Sequence, residues 1–303
     1  MAQPLAYFNG RLLPQTGFAI PSNDAGFIFG ATATDLCRTF NHRLFRLADH
    51  LARFRQSCRL GRIPQPVSDD ELARIAEQLV AHNAGLLEPG QDLALVMFAT
   101  PGPIGYYAGL PGGAGDGPPT LGMHTFPLPF ARYRRFFEQG VTLRVPETRQ
   151  IPADCFDPRA KVRSRLHWWI AQQEAQEIES GAIALLLDHN GCVTETAGAN
   201  LLIVKDGTVV SPPRASILHG ISLQVIEELC GENGISFRER AIQVEDCLAA
   251  DEAMLASTSF CVAGVSRIEG RAIPWPGPVW KQLLTAWSVQ VGVDIAGQIL
   301  SHR

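Results

Sequence analysis

Three turn dipeptides, Asn9-Gly10, Asn190-Gly191 and Asp206-Gly207, each stand between short runs of apolar residues, and they restrict the fold more than any other feature of the chain. Residue pairs that tolerate positive φ close tight hairpins, so each dipeptide calls for two antiparallel strands. The first joins strands at 5–8 and 11–13, the second 183–188 and 192–195, and the third 199–204 and 208–210. A further hairpin is expected around Asn41-His42, between 36–40 and 44–47. Helical periodicity is interspersed with these strands. Leu51, Phe54 and Cys58 share one stripe. Ser68-Asp69-Asp70-Glu71 reads as a capping box opening a helix with Leu72, Ile75, Ala76, Leu79 and Val80 inward, and Gly85 is its stop. Helices are also expected over 163–179, 222–230 and 278–300. Strands are expected at 93–99, 121–126, 141–146, 235–240, 252–257 and 260–268.

Strands and helices are mixed rather than strictly alternating. That pattern predicts an α/β (α+β) protein of two lobes, not a barrel or one doubly wound sheet. A length of 303 residues also favours two cores over one. The expected division is an N-terminal α/β domain over 1–126, a linker over 127–135 opening at Pro127-Leu128-Pro129, and a C-terminal domain over 136–303. Residues 101–119 form a Gly/Pro-rich loop too long to be a mere connection. Its Gly112-Gly113-Ala114-Gly115 is no phosphate loop, because nothing helical follows.

Charge excludes some partners. A net charge of −4 gives no footprint for nucleic acid or an acidic membrane surface. No apolar run approaches membrane-spanning length, and the first fifteen residues show no basic segment followed by an apolar one. The seven cysteines are scattered, odd in number and without a C-x-x-C pair. Reduced thiols in a cytoplasmic protein are therefore expected, with no metal site.

Lysine is scarce: only Lys161, Lys205 and Lys281 occur among 26 basic residues. Lys205 belongs to the turn at Asp206-Gly207, and Lys281 to the C-terminal helix. Lys161 sits in Asp157-Pro158-Arg159-Ala160-Lys161, just before a helix and beside Arg159, Arg163 and Arg165. Neighbouring cations lower an amine's pKa and bring it closer to nucleophilic competence.

Five further segments follow a recognisable order. They are Asp24-Ala25-Gly26-Phe27-Ile28-Phe29-Gly30; Leu47-Ala48-Asp49-His50-Leu51-Ala52-Arg53-Phe54; the hairpin running from Gly191 through Glu195 to Asn200 and Leu201; Ile217-Leu218-His219-Gly220-Ile221-Ser222; and Ala253-Met254-Leu255-Ala256-Ser257-Thr258-Ser259. Together with Lys161 this order resembles the class IV aminotransferases, the fold type IV enzymes that use pyridoxal 5′-phosphate (PLP). The family includes branched-chain and D-amino-acid aminotransferases and aminodeoxychorismate lyase. The resemblance implies a two-domain enzyme with a small N-terminal lobe, a larger C-terminal PLP-binding lobe and the cofactor between them. It implies that Lys161 carries PLP as a Schiff base and that Glu195 pairs with the pyridine nitrogen, keeping it protonated so that the ring accepts electrons. It also implies that Arg53 clamps the phosphate, which the helix start at Ile221 and Ser222 and the loop at Thr258 and Ser259 help to hold. A homodimer is implied as well, with the 101–119 loop a candidate cap.

The sequence departs from the family at three places that bear on substrate. Where relatives have D-G-x-[FY]-E, this chain has Ala31-Thr32-Ala33-Thr34-Asp35. Where relatives have T-R-G after the strand at 93–99, it has Thr100-Pro101-Gly102, with Tyr106 and Tyr107 beyond. Where relatives carry an asparagine after the lysine, it has Arg163, Arg165, Leu166 and His167. The candidate substrate residues are therefore Thr32, Thr34, Arg38, Tyr106, Arg163 and Arg165. The expected reaction is ping-pong transamination between an amino acid or amine and a 2-oxo acid, with the Lys161 amine as base and acid. A lyase of the aminodeoxychorismate type and an inactive scaffold with the same fold stand as alternatives.

Overall fold

The computed structural model describes residues 2–109 and 115–302. Residues 110–114, including most of the glycine-rich stretch in the 101–119 loop, lie outside the described residues. The chain divides into two compact units, Met1–Leu128 with Arg159–Ser164, and Pro129–Pro158 with Arg165–Arg303.

In the first unit β1 (Leu5–Phe8) and β2 (Arg11–Pro14) form the Asn9-Gly10 hairpin, and a short α1 (Ala25–Ile28) precedes β3 (Ala33–Phe40). The turn to β4 (Arg43–Leu44) uses Asn41 and His42, both at positive φ. α2 (Leu47–Leu60) and α3 (Asp69–Ala84) follow, the latter capped by Ser68, whose side chain accepts from the Glu71 amide. β5 (Leu93–Thr100) and β6 (Thr120–Pro127) complete a six-stranded sheet of order β2-β1-β6-β5-β3-β4.

Alternation along the strands gives this sheet two different faces. Ala33 on β3, Leu93, Leu95, Met97 and Ala99 on β5, and Leu121 and Met123 on β6 pack into one core with α2 and α3, which contribute Phe54, Leu72, Ile75 and Leu79. Phe54 has no exposed surface, so truncating it to alanine would cost about 3–5 kcal/mol. The opposite face carries Phe98 and His124, over which Phe18 packs edge-on to Phe98 at 5.7 Å between ring centroids.

The segment Arg159–Ser164 belongs to this unit, not to the C-terminal one to which sequence adjacency assigned it. Val162 bridges Ala33, and the Arg163 amide donates to the Thr32 carbonyl at 2.9 Å, so the segment extends the sheet beside the start of β3. The helix expected over 163–179 therefore begins only at Leu166.

The second unit opens with α4 (Phe130–Glu138), a helix where the sequence suggested a linker over 127–135; Phe130, Phe136 and Phe137 are its buried side. There follow β7 (Val141–Arg144), α5 (Leu166–Ile178), β8 (Ile183–Leu187), β9 (Val193–Thr196), β10 (Asn200–Lys205), β11 (Thr208–Ser211) and α6 (Ile221–Glu232). After β12 (Phe237–Glu239) and α7 (Val244–Leu248) come β13 (Glu252–Ser257), β14 (Cys261–Ile268) and β15 (Arg271–Ala272). The C-terminal helix expected over 278–300 is two, α8 (Pro278–Val291) and α9 (Ile295–Leu300). Gly292, at φ 66°, ends the first in the left-handed conformation, and the Asp294 side chain caps the second.

The main path of the second sheet runs β12-β11-β10-β13-β14-β7-β8-β9, and β9 also pairs with β10. That extra pairing closes β10-β13-β14-β7-β8-β9 into a ring and removes the edge that β9 would otherwise present. Closure rests on the single register pair Asn200 with Glu195. Among the described residues no helix is long and apolar enough to cross a membrane.

Candidate active site

The first unit builds a buried ionic cluster around Lys161. Spacings of three and four on α2 place His50, Arg53 and Ser57 along one helix face, and that face meets Asp35 on β3. Asp35 is fully buried and accepts from Arg53 Nε at 2.8 Å, Arg53 Nη2 at 2.9 Å and His50 Nδ1 at 2.7 Å. Burial alone would raise the Asp35 pKa, but the charges and hydrogen bonds of Arg53 and His50 outweigh it and hold the carboxyl well below the usual carboxylate range. Burial pushes His50 below its ordinary value, against the pull of Asp35, with the Arg53 and Lys161 charges acting the same way as burial. The consistent protonation state is an Arg53–Asp35 ion pair with neutral His50 donating from Nδ1–H.

Lys161 is anchored through its backbone. Its N–H donates to Ser57 Oγ at 3.0 Å, and its carbonyl accepts from the Thr34 amide at 2.9 Å. Ser57 Oγ in turn donates to the Arg53 carbonyl at 2.9 Å. One helix face therefore sets both the ionic cluster and the root of the lysine side chain.

The second unit gathers a different set at the closure of its ring. Glu195, buried at the end of β9, accepts from Asn200 Nδ2 at 2.9 Å and from the Leu218 amide at 3.2 Å, while Asn200 Nδ2 also donates to the Leu218 carbonyl at 3.0 Å. Gly220 is the N-cap of α6, and a Cβ there would stand 2.1 Å from Asn200 Oδ1, so only glycine permits this approach. No side chain caps the first turn of α6, where Ile221 and Ser222 are buried. A helix start of this kind suits an anion. Asn200 pairs with Ala256 on β13, which brings the following turn, with half-buried Thr258 and Ser259, to the same end of the sheet.

The candidate substrate residues are not gathered in one place. Thr32 and Arg163 line one cavity of the first unit. Thr34 is buried, with its hydroxyl donating to the Met97 carbonyl at 2.9 Å. Arg38 is 1% exposed, donates from Nε to the Thr39 carbonyl and lies 3.9 Å from the Phe40 ring centroid. Tyr106 is exposed and packs on Tyr107. Arg165 belongs to the second unit, at the N-cap of α5, 5.9 Å from the Trp168 ring. The sequence assigns no role to Asp35, His50, Ser57 or Asn200, and reads Gly220 only as the glycine before a helix start suited to a phosphate. The H-x-x-R spacing of His50 and Arg53 was the available signal for the first group, and E-x4-N for Asn200.

Each unit of this mixed fold thus holds its own set of buried polar groups, the first an arginine–aspartate pair beside the root of Lys161 and the second a carboxylate held by amides. The sequence profile described as amino-transferase class IV matches residues 32–268, and the chain belongs to that family. It is 30% identical over 283 residues to the D-alanine aminotransferase of Bacillus licheniformis, covering 92% of this chain and 94% of the relative. The branched-chain amino acid aminotransferase of Escherichia coli superposes with a TM-score of 0.84 at 24% identity, over 94% of this chain and 93% of the other. The branched-chain aminotransferase of Thermoproteus uzoniensis, solved with norvaline, gives 0.83 at 23% identity over 95% of each. The protein is thus a fold type IV aminotransferase, and neither the lyase nor the scaffold alternative gains an observation.

Proposed function

We propose that the protein transfers an amino group from an amino acid to a 2-oxo acid with PLP bound through the Lys161 ε-amine. The observation that carries this reading is the anchoring of Lys161 between Ser57 and Thr34 beside the Arg53–Asp35 pair. The donor set fits the cofactor in kind: an amine, an arginine, a buried carboxylate and an uncapped helix start. Glu195 would hold the pyridine nitrogen protonated, with Asn200 and the Leu218 amide fixing the carboxylate. Arg53, Ile221, Ser222, Thr258 and Ser259 would hold the phosphate, Arg53 being oriented for it by Asp35.

When bound, PLP supplies the electron sink for the pair left at the substrate Cα. The Lys161 amine takes the proton from that Cα and returns one in the second half-reaction.

Partners and location follow from other features. A homodimer is supported by Leu166, Trp169 and Ile170, large apolar side chains exposed on α5. A cytoplasmic location is supported by seven free cysteines.

The test is a donor and acceptor screen over D- and L-amino acids with 2-oxo acids, run beside Lys161→Ala. The wild type should turn over, and the variant should lose more than about a thousandfold in rate. Equal activity in the two would exclude Lys161 from the chemistry.

A further inference from the structure

Of the three candidate arginines, two are already engaged and one is not. Arg38 is buried against Phe40 and bonded to the Thr39 carbonyl, and Arg165 lies against Trp168. The Arg163 guanidinium makes no side-chain hydrogen bond or ion pair with any described residue, and desolvation alone holds its pKa below the ordinary arginine value. Although one side of Arg163 faces solvent, the other faces a cavity of about 500 Å³ on the sheet face turned away from α2 and α3. That volume lies within the range of small-molecule sites.

The walls show what such a cavity would take. Phe18, Ile20, Phe27 and Phe98 supply its apolar surface, and Phe18 is fixed edge-on against both Phe8 and Phe98. The other polar side chains of the lining are Ser22, Thr32, Thr100 and His124. The Thr32 hydroxyl donates to the Gly26 carbonyl, and Thr100 Oγ1 accepts from the Gly102 amide. Burial first, then the Arg163 charge, lowers the pKa of His124 and favours its neutral form. Arg163 is the one residue of the lining that carries a full charge. A half-covered guanidinium with no ion pair among the described residues can take a ligand carboxylate through a two-pronged hydrogen bond.

Position ties the cavity to the chemistry. Arg163 is two residues beyond Lys161 on the segment that pairs with β3, its amide on the Thr32 carbonyl and the Lys161 carbonyl on the Thr34 amide. Where relatives have T-R-G, this chain has Thr100-Pro101-Gly102, and Thr100 is among the cavity's lining.

We propose that the cavity takes the apolar body of a monocarboxylate and that Arg163 holds its carboxylate, making Arg163 the residue that selects carboxylate-bearing substrates over plain amines. The inference rests on the transaminase reading above for its link to substrate, but its binding test does not require turnover.

The test is calorimetric titration of the full-length, PLP-saturated protein with 3-phenylpropanoate and with the uncharged 3-phenylpropanol. The acid should bind wild type about tenfold or more tightly than the alcohol. Arg163→Gln should lose that preference while its affinity for the alcohol stays within about twofold of wild type, and Arg163→Lys should recover part of it. Thermal melting and the visible cofactor spectrum of each variant report whether the fold and cofactor are retained. Equal binding of acid and alcohol to wild type, or a preference that survives in Arg163→Gln, would overturn the proposal. A wild type without a visible cofactor band would sink the PLP reading instead, leaving the binding preference to be judged by itself.

Discussion

The two units hold their functional side chains by opposite means. The first buries full charges, with Asp35 paired to Arg53 and further bonded by His50. The second holds Glu195 with the Asn200 amide and the Leu218 backbone N–H among its partners. Charge against charge fixes an arginine's direction strongly, but leaves a large penalty if one partner is lost. Amide donors fix a carboxylate more weakly.

The contrast is broken most severely at Asp35. Asp35→Asn leaves Arg53 buried without its counter-ion and should cost about 3–5 kcal/mol of stability, read from urea unfolding, with weaker PLP binding. Asn200→Ala should cost less, about 1–3 kcal/mol, because it removes neutral hydrogen bonds at the ring closure. Equal losses in the two variants would erase the distinction between the units.

Acid should act on the first unit's cluster in two stages. His50 has a folded pKa below its ordinary 6.5, so its contribution to stability is complete above 6.5 and is lost as pH falls below that value. Asp35 is depressed from 3.8, so its contribution is present above 3.8 and is lost only as pH falls further, toward its folded value. Between about pH 7 and pH 5 His50 should therefore contribute a slope of at most about 1.4 kcal/mol per pH unit, beside His124 and His167, whose pKa values burial also lowers, and His50→Gln should reduce the wild-type slope by that share. An unchanged slope in His50→Gln would assign the titration to another group.

Local signals were legible in the sequence wherever neighbours in the chain determine the structure. The Asn-Gly and Asp-Gly hairpins, the Ser68 cap and the buried strand at Leu93 follow from turn chemistry and periodicity, and the ordered motifs led to the family. What was not legible depends on contacts between distant residues. Ring closure rests on one pair, Asn200 with Glu195, in strands that each read as ordinary hairpin members. Lys161 was assigned to the C-terminal domain by adjacency, whereas the bonds to Ser57 and Thr34 bring its segment to the first unit. Phe130–Glu138 was hidden by the prolines before it, although its phenylalanines already marked a helix face. Asp35 stood out only as a departure from the family's glutamate. Its role as the acceptor for Arg53 and His50 emerges only when β3 and α2 are seen packed together. Arg38, Arg163 and Arg165 were equivalent in the sequence, and only their different surroundings separate them.

The central claim is that Lys161, among three lysines, bears the cofactor. It is tested most directly by saturating the intact protein with PLP, reducing with borohydride, digesting and locating the reduced adduct by mass spectrometry. The account predicts a single modified peptide, with the phosphopyridoxyl group on Lys161. An adduct on Lys205 or Lys281, or none on Lys161, would contradict it.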